Sequence, residues 1–210
     1  MSSDVSTETE PTTATPPTRA WRVIDIVVAA VLGVACGLIF VVWNSIGYAW
    51  WTAMSAITPG LAGIATGVWL LGGVLGGLVI RKPGAALFVE LLAAVVSTLL
   101  GSQWSIETVY SGLAQGIGAE LIFAIFLYRR WNVSIAMLAG AGAAVGAWTL
   151  ELFTSGNLAK GAGFLLTYLG TCVVSGALLA GLLGWILMKA LAKTGALNRF
   201  AAGRDARVEA

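Results

Sequence analysis

Within ten residues, GSQWSIETVY (101–110), the chain offers an amide at Gln103, an indole at Trp104, a carboxylate at Glu107 and a phenol at Tyr110. Glu107, Ser111 and Gln115 follow at i, i+4 and i+8, the spacing that sets three polar side chains on one helix face. Aromatic rings stack on flat ligands and attract cations to their faces, while a carboxylate accepts hydrogen bonds from ring N–H and amino groups. This set suits a flat, cationic or amidine-like molecule. It does not suit covalent chemistry. The chain has no histidine, which excludes His-based triads, His metal sites and His proton relays. No G-x-x-x-x-G-K-[ST] occurs, so there is no P-loop for ATP hydrolysis. The glycine-rich AGAGAAVG (139–146) lies inside an apolar run with no strand before it, and reads as helix packing. Cys36 and Cys172 also fall in apolar runs and read as small packed hydrophobes.

The elements that must position these groups are membrane helices. Of 210 residues, 58% are apolar and 10% charged, against about 25% charged in a soluble domain, and the mean hydropathy is +0.88. Six apolar stretches, 23–43, 61–80, 85–100, 109–127, 133–153 and 163–188, lie near the ~20 residues that cross a ~30 Å hydrocarbon core. The third is short and carries Glu90, but the charges require it. Arg19 and Arg22 precede the first stretch, Arg81 and Lys82 follow the second, Arg129 and Arg130 follow the fourth, and Lys189, Lys193, Arg199, Arg204 and Arg207 follow the sixth. Six spans put these eleven cations on one side, leaving only Lys160 on the other. Since Lys and Arg mark the cytoplasmic side, both termini are expected in the cytoplasm of a plasma-membrane protein. The expected fold is an all-α bundle of six transmembrane helices over 20–190. It is flanked by a disordered tail at 1–19, rich in Ser, Thr, Pro and acid and unlike a signal peptide, and by a basic cytoplasmic tail at 191–210.

That orientation places GSQWSIETVY outside, together with NSIGYAWWTAMSAITPG (44–60), which is longer than a connector needs to be. Trp43, Tyr48, Trp50, Trp51, Trp104, Tyr110, Trp148 and Tyr168 all map to this outer region, whereas the inner edge offers only Trp21, Tyr128, Trp131 and Trp185. An interfacial aromatic belt is common to membrane proteins, but this lopsided distribution favours a pocket. Asn44, Gln103, Glu107, Gln115, Glu151 and Asn157 join the set, with Lys160 as its lone cation. Asp25, three residues from Arg22, reads as a helix-start cap. Glu90 and Glu120 lie about 12 Å from their basic pairs at 1.5 Å per residue. A mid-membrane charge costs on the order of 2.5–3.5 kcal/mol, so both must face protein or a cavity. Glu90 reads as structural; Glu120 divides between ligand contact and an internal hydrogen bond. Small residues recur at four-residue spacing, as at Ala29, Gly33 and Gly37, and allow close helix approach.

Three segments, WRVIDIVVAAVLGVACGLIF, GGVLGGLVIRKPGAALFVELLAA and GSQWSIETVYSGLAQGIGAELIFA, resemble the YkoE family of energy-coupling-factor (ECF) transporter S components. The resemblance covers about residues 20–190. It implies a protein that captures thiamin or its hydroxymethylpyrimidine precursor outside the cell and hydrolyses nothing. Its implied partners are a transmembrane T component and two ABC-type ATPases, with no nucleic acid and no cofactor. It also implies that Ala29, Gly33 and Gly37 match an A-x-x-x-A-like patch that docks the T component. On this reading the substrate-binding residues are Trp43, Asn44, Tyr48, Trp51, Gln103, Trp104, Glu107, Tyr110, Gln115, Glu120, Trp148, Glu151 and Tyr168. Trp104 stacks on the ligand, Glu107 and Gln103 supply polar contacts, and 44–60 form a lid. The rival reading is a small secondary transporter for a cationic aromatic amine, driven by protons through Glu90 and Glu120. An intramembrane enzyme is a poorer third, and a purely structural membrane subunit would bind no small molecule.

Overall fold

The computed structural model describes residues 19–208, with side chains through Asp205. The predicted N-terminal tail lies outside the described residues except for Arg19. Among the described residues every regular element is helical. Helix α1 spans Val23–Ile57, and a 3-10 helix over Leu61–Leu70 runs directly into α2, Leu71–Ile80. Then come α3 (Ala85–Leu99), α4 (Ile106–Ile125) and α5 (Val133–Thr154). A 3-10 turn, Asn157–Lys160, leads into α6, Gly161–Ser175. That helix passes through a π-helical stretch, Gly176–Leu182, into α7, Leu183–Lys193. A last helix, α8, covers Ala201–Val208.

Five of these units are long and apolar enough to cross a membrane: Val23–Ile57, Leu61–Ile80, Ile106–Ile125, Val133–Thr154 and Asn157–Lys193. The third expected span, α3, has only 15 residues, or about 22 Å at 1.5 Å per residue. Its length suits its place: α3 packs between α1 and α4 and also touches α2. The largest departure from expectation is α1. Its 35 residues make about 52 Å of helix, so 44–57 continue the helix rather than form a looped lid. The physical reason is local. No Pro or positive-φ residue interrupts the run until Thr58, Pro59 and Gly60 end it, Gly60 at φ +90°.

The helix starts follow capping chemistry. The Arg22 N–H donates to the Asp25 carboxylate at 2.7 Å, and Asn132 Oδ1 accepts from the Ile135 N–H at 3.0 Å. Close approach is made by small residues. At Gly118 a Cβ would collide with the Gly142 backbone, which is how α4 lies against α5. The stripe Ala29, Gly33, Gly37 is used in the same way. All three are buried, and a Cβ at Gly33 would come within 2.8 Å of Leu92 and one at Gly37 within 2.7 Å of Val96, both on α3. The stripe expected to dock a T component therefore faces into the bundle. The face of α1 left exposed carries Val27, Val31, Val34, Leu38 and Val42 instead.

The helix ends sort into two sets. At one end Arg19 donates to the Leu127 carbonyl, Trp21 Nε1 to the Pro83 carbonyl at 2.9 Å, and Lys82 Nζ to Asp25 at 2.5 Å. This is the basic end. The C-terminal segment folds back onto it: Leu197, Phe200 and Ala202 are buried, and Asp205 pairs with Arg81. The expected basic tail is thus packed against the bundle as far as Asp205. The opposite end gathers the end of α1, the α3–α4 connector and the α5–α6 connector around a cavity.

Candidate functional site

Sequence spacing brings Asn44, Tyr48 and Trp51 to one side of α1, and Glu107, Ser111 and Gln115 to one side of α4. The bundle turns the two faces toward each other across a cavity of about 360 Å³, within the ~300–1,000 Å³ typical of small-molecule sites. Its ring wall is continuous. Tyr48 stacks on Trp51 with centroids 5.9 Å apart and planes 5° from parallel. Trp104 meets Tyr48 edge-on at 5.7 Å and Trp69 edge-on at 5.6 Å. Tyr168 also lines the cavity, stacked on Phe164 at 5.6 Å.

Polar groups anchor these rings. Trp69 Nε1 donates to Asn44 Oδ1 at 2.9 Å, and Asn44 Nδ2 donates to Ser97 Oγ at 3.0 Å, so one buried amide ties α1 to the 3-10 helix and α3. Tyr168 donates its hydroxyl hydrogen to Glu151 Oε2 at 2.6 Å. On the floor lies Glu90, 1% exposed, whose Oε2 accepts from the Gly73 N–H at 2.5 Å. Gly73 is the third residue of α2, so Glu90 satisfies one of the free N–H groups at that helix's start. The Gln115 amide is assigned the orientation that satisfies its neighbours: its NH2 then donates to Glu90 Oε1 at 3.1 Å and to the Trp69 carbonyl at 3.0 Å, and its oxygen accepts from Ser111 Oγ at 2.7 Å.

Of the thirteen expected binding residues, Asn44, Tyr48, Trp51, Trp104, Glu107, Tyr110, Gln115, Glu151 and Tyr168 line this cavity. Four do not. Gln103 is exposed on the connector and does not line the cavity that its neighbour Trp104 walls. Trp43 stands behind the wall, edge-on to Trp69 at 6.3 Å with its N–H on the Ala65 carbonyl at 3.0 Å. Trp148 likewise spends its N–H on the Leu165 carbonyl at 3.2 Å. Glu120 lies at the far end of α4, where it accepts from the N–H groups of Gly84 (2.6 Å), Ala86 (2.9 Å) and Leu87 (3.3 Å) and from the Tyr128 hydroxyl (2.7 Å). It caps α3. Burial, and then the hydrogen bond to Glu120, hold the Tyr128 phenol well above the ordinary range, so it stays a donor at neutral pH. With Glu120 enclosed by these donors and Glu90 on the cavity floor, the two carboxylates have separate partners and form no shared relay.

Sequence reasoning missed Trp69, Thr66 and Phe164, which also line the cavity. Trp69 had one available signal: it is a tryptophan in mid-span, away from either interface, where an indole N–H needs a buried acceptor.

Comparison with known proteins agrees with this architecture. Residues 24–146 match the family described as "ABC-type cobalt transport system, permease component". The chain is 34% identical over 192 residues to the Bacillus subtilis (strain 168) protein YkoE, provisionally described as an HMP/thiamine permease; the match covers 89% of this chain and 92% of that one. A solved structure, "Crystal structure of an S-component of ECF transporter", superposes with a TM-score of 0.77 at 32% identity, covering 90% of this chain and 95% of the other. The apolar bundle with its ring-lined cavity is accordingly that of a membrane transport component and not an enzyme. The chain belongs to the YkoE family of ECF-transporter S components.

Proposed function

We propose that this protein captures thiamin or its hydroxymethylpyrimidine precursor in the cavity from the outer side of the plasma membrane and hands it to a T component driven by two ABC-type ATPases. The observation that carries the reading is the ring wall of Tyr48, Trp51, Trp69 and Trp104 beside the carboxylates of Glu107 and Glu151. Stacking and cation–π attraction suit a thiazolium, and a carboxylate suits an aminopyrimidine edge. The relative's description as an HMP/thiamine permease supports the same ligand class. Although the matching family's description names cobalt, no group of three His, Cys, Asp or Glu among the described residues is placed to hold a metal ion. The ring-lined wall supports an organic ligand.

The orientation rests on the basic end, which the positive-inside tendency assigns to the cytoplasm with both termini and six spans. The cavity then opens outward. The test is a titration of the purified protein in detergent, without ATP, following tryptophan fluorescence with thiamin, hydroxymethylpyrimidine, riboflavin and biotin. Saturable quenching by thiamin or the pyrimidine alone supports the reading. Folded protein that responds to none of them overturns it.

A further inference from the structure

The cavity holds three carboxylates, Glu90, Glu107 and Glu151, and one cation, Lys160. Lys160 ends the 3-10 turn before α6 and is exposed at the mouth. Its Nζ donates to Asn157 Oδ1 at 2.7 Å and lies 4.6 Å from the centroid of the Phe164 ring. Phe164 stacks on Tyr168, and Tyr168 donates to Glu151. Mouth and interior are therefore joined by one run of contacts: ammonium, ring, ring, carboxylate. A second cavity of about 310 Å³ adjoins the first and shares Trp51, Lys160, Phe164 and Tyr168 with it. The Lys160 ammonium thus stands where the two spaces meet and has room to swing away.

We propose that Lys160 is a resident cation that competes with the ligand's own charge and so sets the preference between cationic and neutral ligands. In the empty site it occupies the Phe164 face, at the outer end of the run of contacts that leads to Glu151. A cationic ligand must displace it or bear its repulsion; a neutral ring of similar shape need not. This inference rests on the ligand class proposed above. Its mark is a change in the ratio of two affinities, not in either alone.

The experiment titrates wild type, Lys160→Met and Lys160→Arg with thiamin, a cation, and hydroxymethylpyrimidine, which is neutral, following tryptophan fluorescence. The ratio of thiamin to pyrimidine affinity should rise about two- to fivefold in the methionine variant, the size of a cation–π contact near the surface. The rise should be larger at low ionic strength, where screening is weaker, and the arginine variant should keep the wild-type ratio. If both affinities change by the same factor, Lys160 only holds the turn, and the inference is overturned. If the ratio falls, Lys160 contributes directly to holding the ligand, which also overturns it. Wild type that binds neither compound breaks the functional reading itself and takes this inference with it, whereas binding with an unmoved ratio breaks only the inference.

Discussion

The two ends of the bundle differ in how they hold their acids. At the basic end charge meets charge at Asp25 and Asp205, while Glu120 is held by backbone N–H groups and the Tyr128 hydroxyl. Asp25 is fully buried and bridges Arg22 and Lys82, with Arg22 Nη2 at 2.7 Å and Lys82 Nζ at 2.5 Å, and Arg81 pairs with Asp205. Arg22 is correspondingly held above even the ordinary guanidinium range by its hydrogen bond to Asp25. At the cavity end, neutral donors hold the carboxylates: a phenol for Glu151, and a backbone N–H and an amide for Glu90. Among the described residues the only cation lining that cavity, Lys160, rests on a ring and an amide. Oppositely charged partners help to close one end; the other leaves its carboxyl groups facing a cavity. The lesson is that acids in one small membrane protein divide into fasteners and site by where the fold places them: Asp25 and Glu120 are closed in by donors at the basic end, whereas Glu90, Glu107 and Glu151 line the cavity.

This contrast can be broken at several points. The largest effect is expected for Asp25→Ala, which leaves Lys82 and Arg22 without their counter-ion; loss of one partner of a buried pair costs about 3–5 kcal/mol. A thermal melt in detergent should show a large fall, with ligand affinity of the folded fraction unchanged. Next comes Glu120→Ala, which strands three backbone N–H groups and a phenol. A loss of about 2–3 kcal/mol is expected, again in stability and not in affinity; if affinity falls with little change in melting, Glu120 belongs to the site after all.

Trp104→Ala combined with Glu107→Ala should do the reverse. Affinity should drop by about 10–100-fold, or ~1.4–2.8 kcal/mol, with a much smaller change in melting, because both residues sit at the rim. Unchanged affinity would remove the α3–α4 connector from the site. The smallest effect is expected for Gln103→Ala: since Gln103 is exposed and does not line the cavity, titration should return wild-type affinity within about twofold, and melting should move by less than ~0.5 kcal/mol.

Much of this arrangement was legible in the chain itself. A mean hydropathy of +0.88 and long apolar runs bounded by basic pairs can be satisfied only by membrane helices, since lipid offers no partner for an open backbone. The asymmetric distribution of Trp and Tyr pointed to the end that holds the cavity. Local periodicity placed Asn44, Tyr48 and Trp51 together, and Glu107, Ser111 and Gln115 together, because i+4 spacing is a property of one helix. Asp25 as a cap followed from its place beside Arg22.

What periodicity could not decide was which neighbour each face would meet. Glu120 continues the same helix face as Gly112 and Gly116, yet its partners come from the start of α3 and from Tyr128, all brought to it by the fold. Ala29, Gly33 and Gly37 form a stripe that would serve an external partner or an internal one equally well; only the position of Leu92 and Val96 shows that it is internal. Trp69 looked like any apolar residue until the Asn44 amide was placed beside it. Composition and spacing thus determined the class, the helices and the end at which to look, because those depend on solvent and on residues close in sequence. Tertiary packing alone decided which acids fasten and which face the cavity, because a buried polar group takes its role from partners that the sequence holds far away.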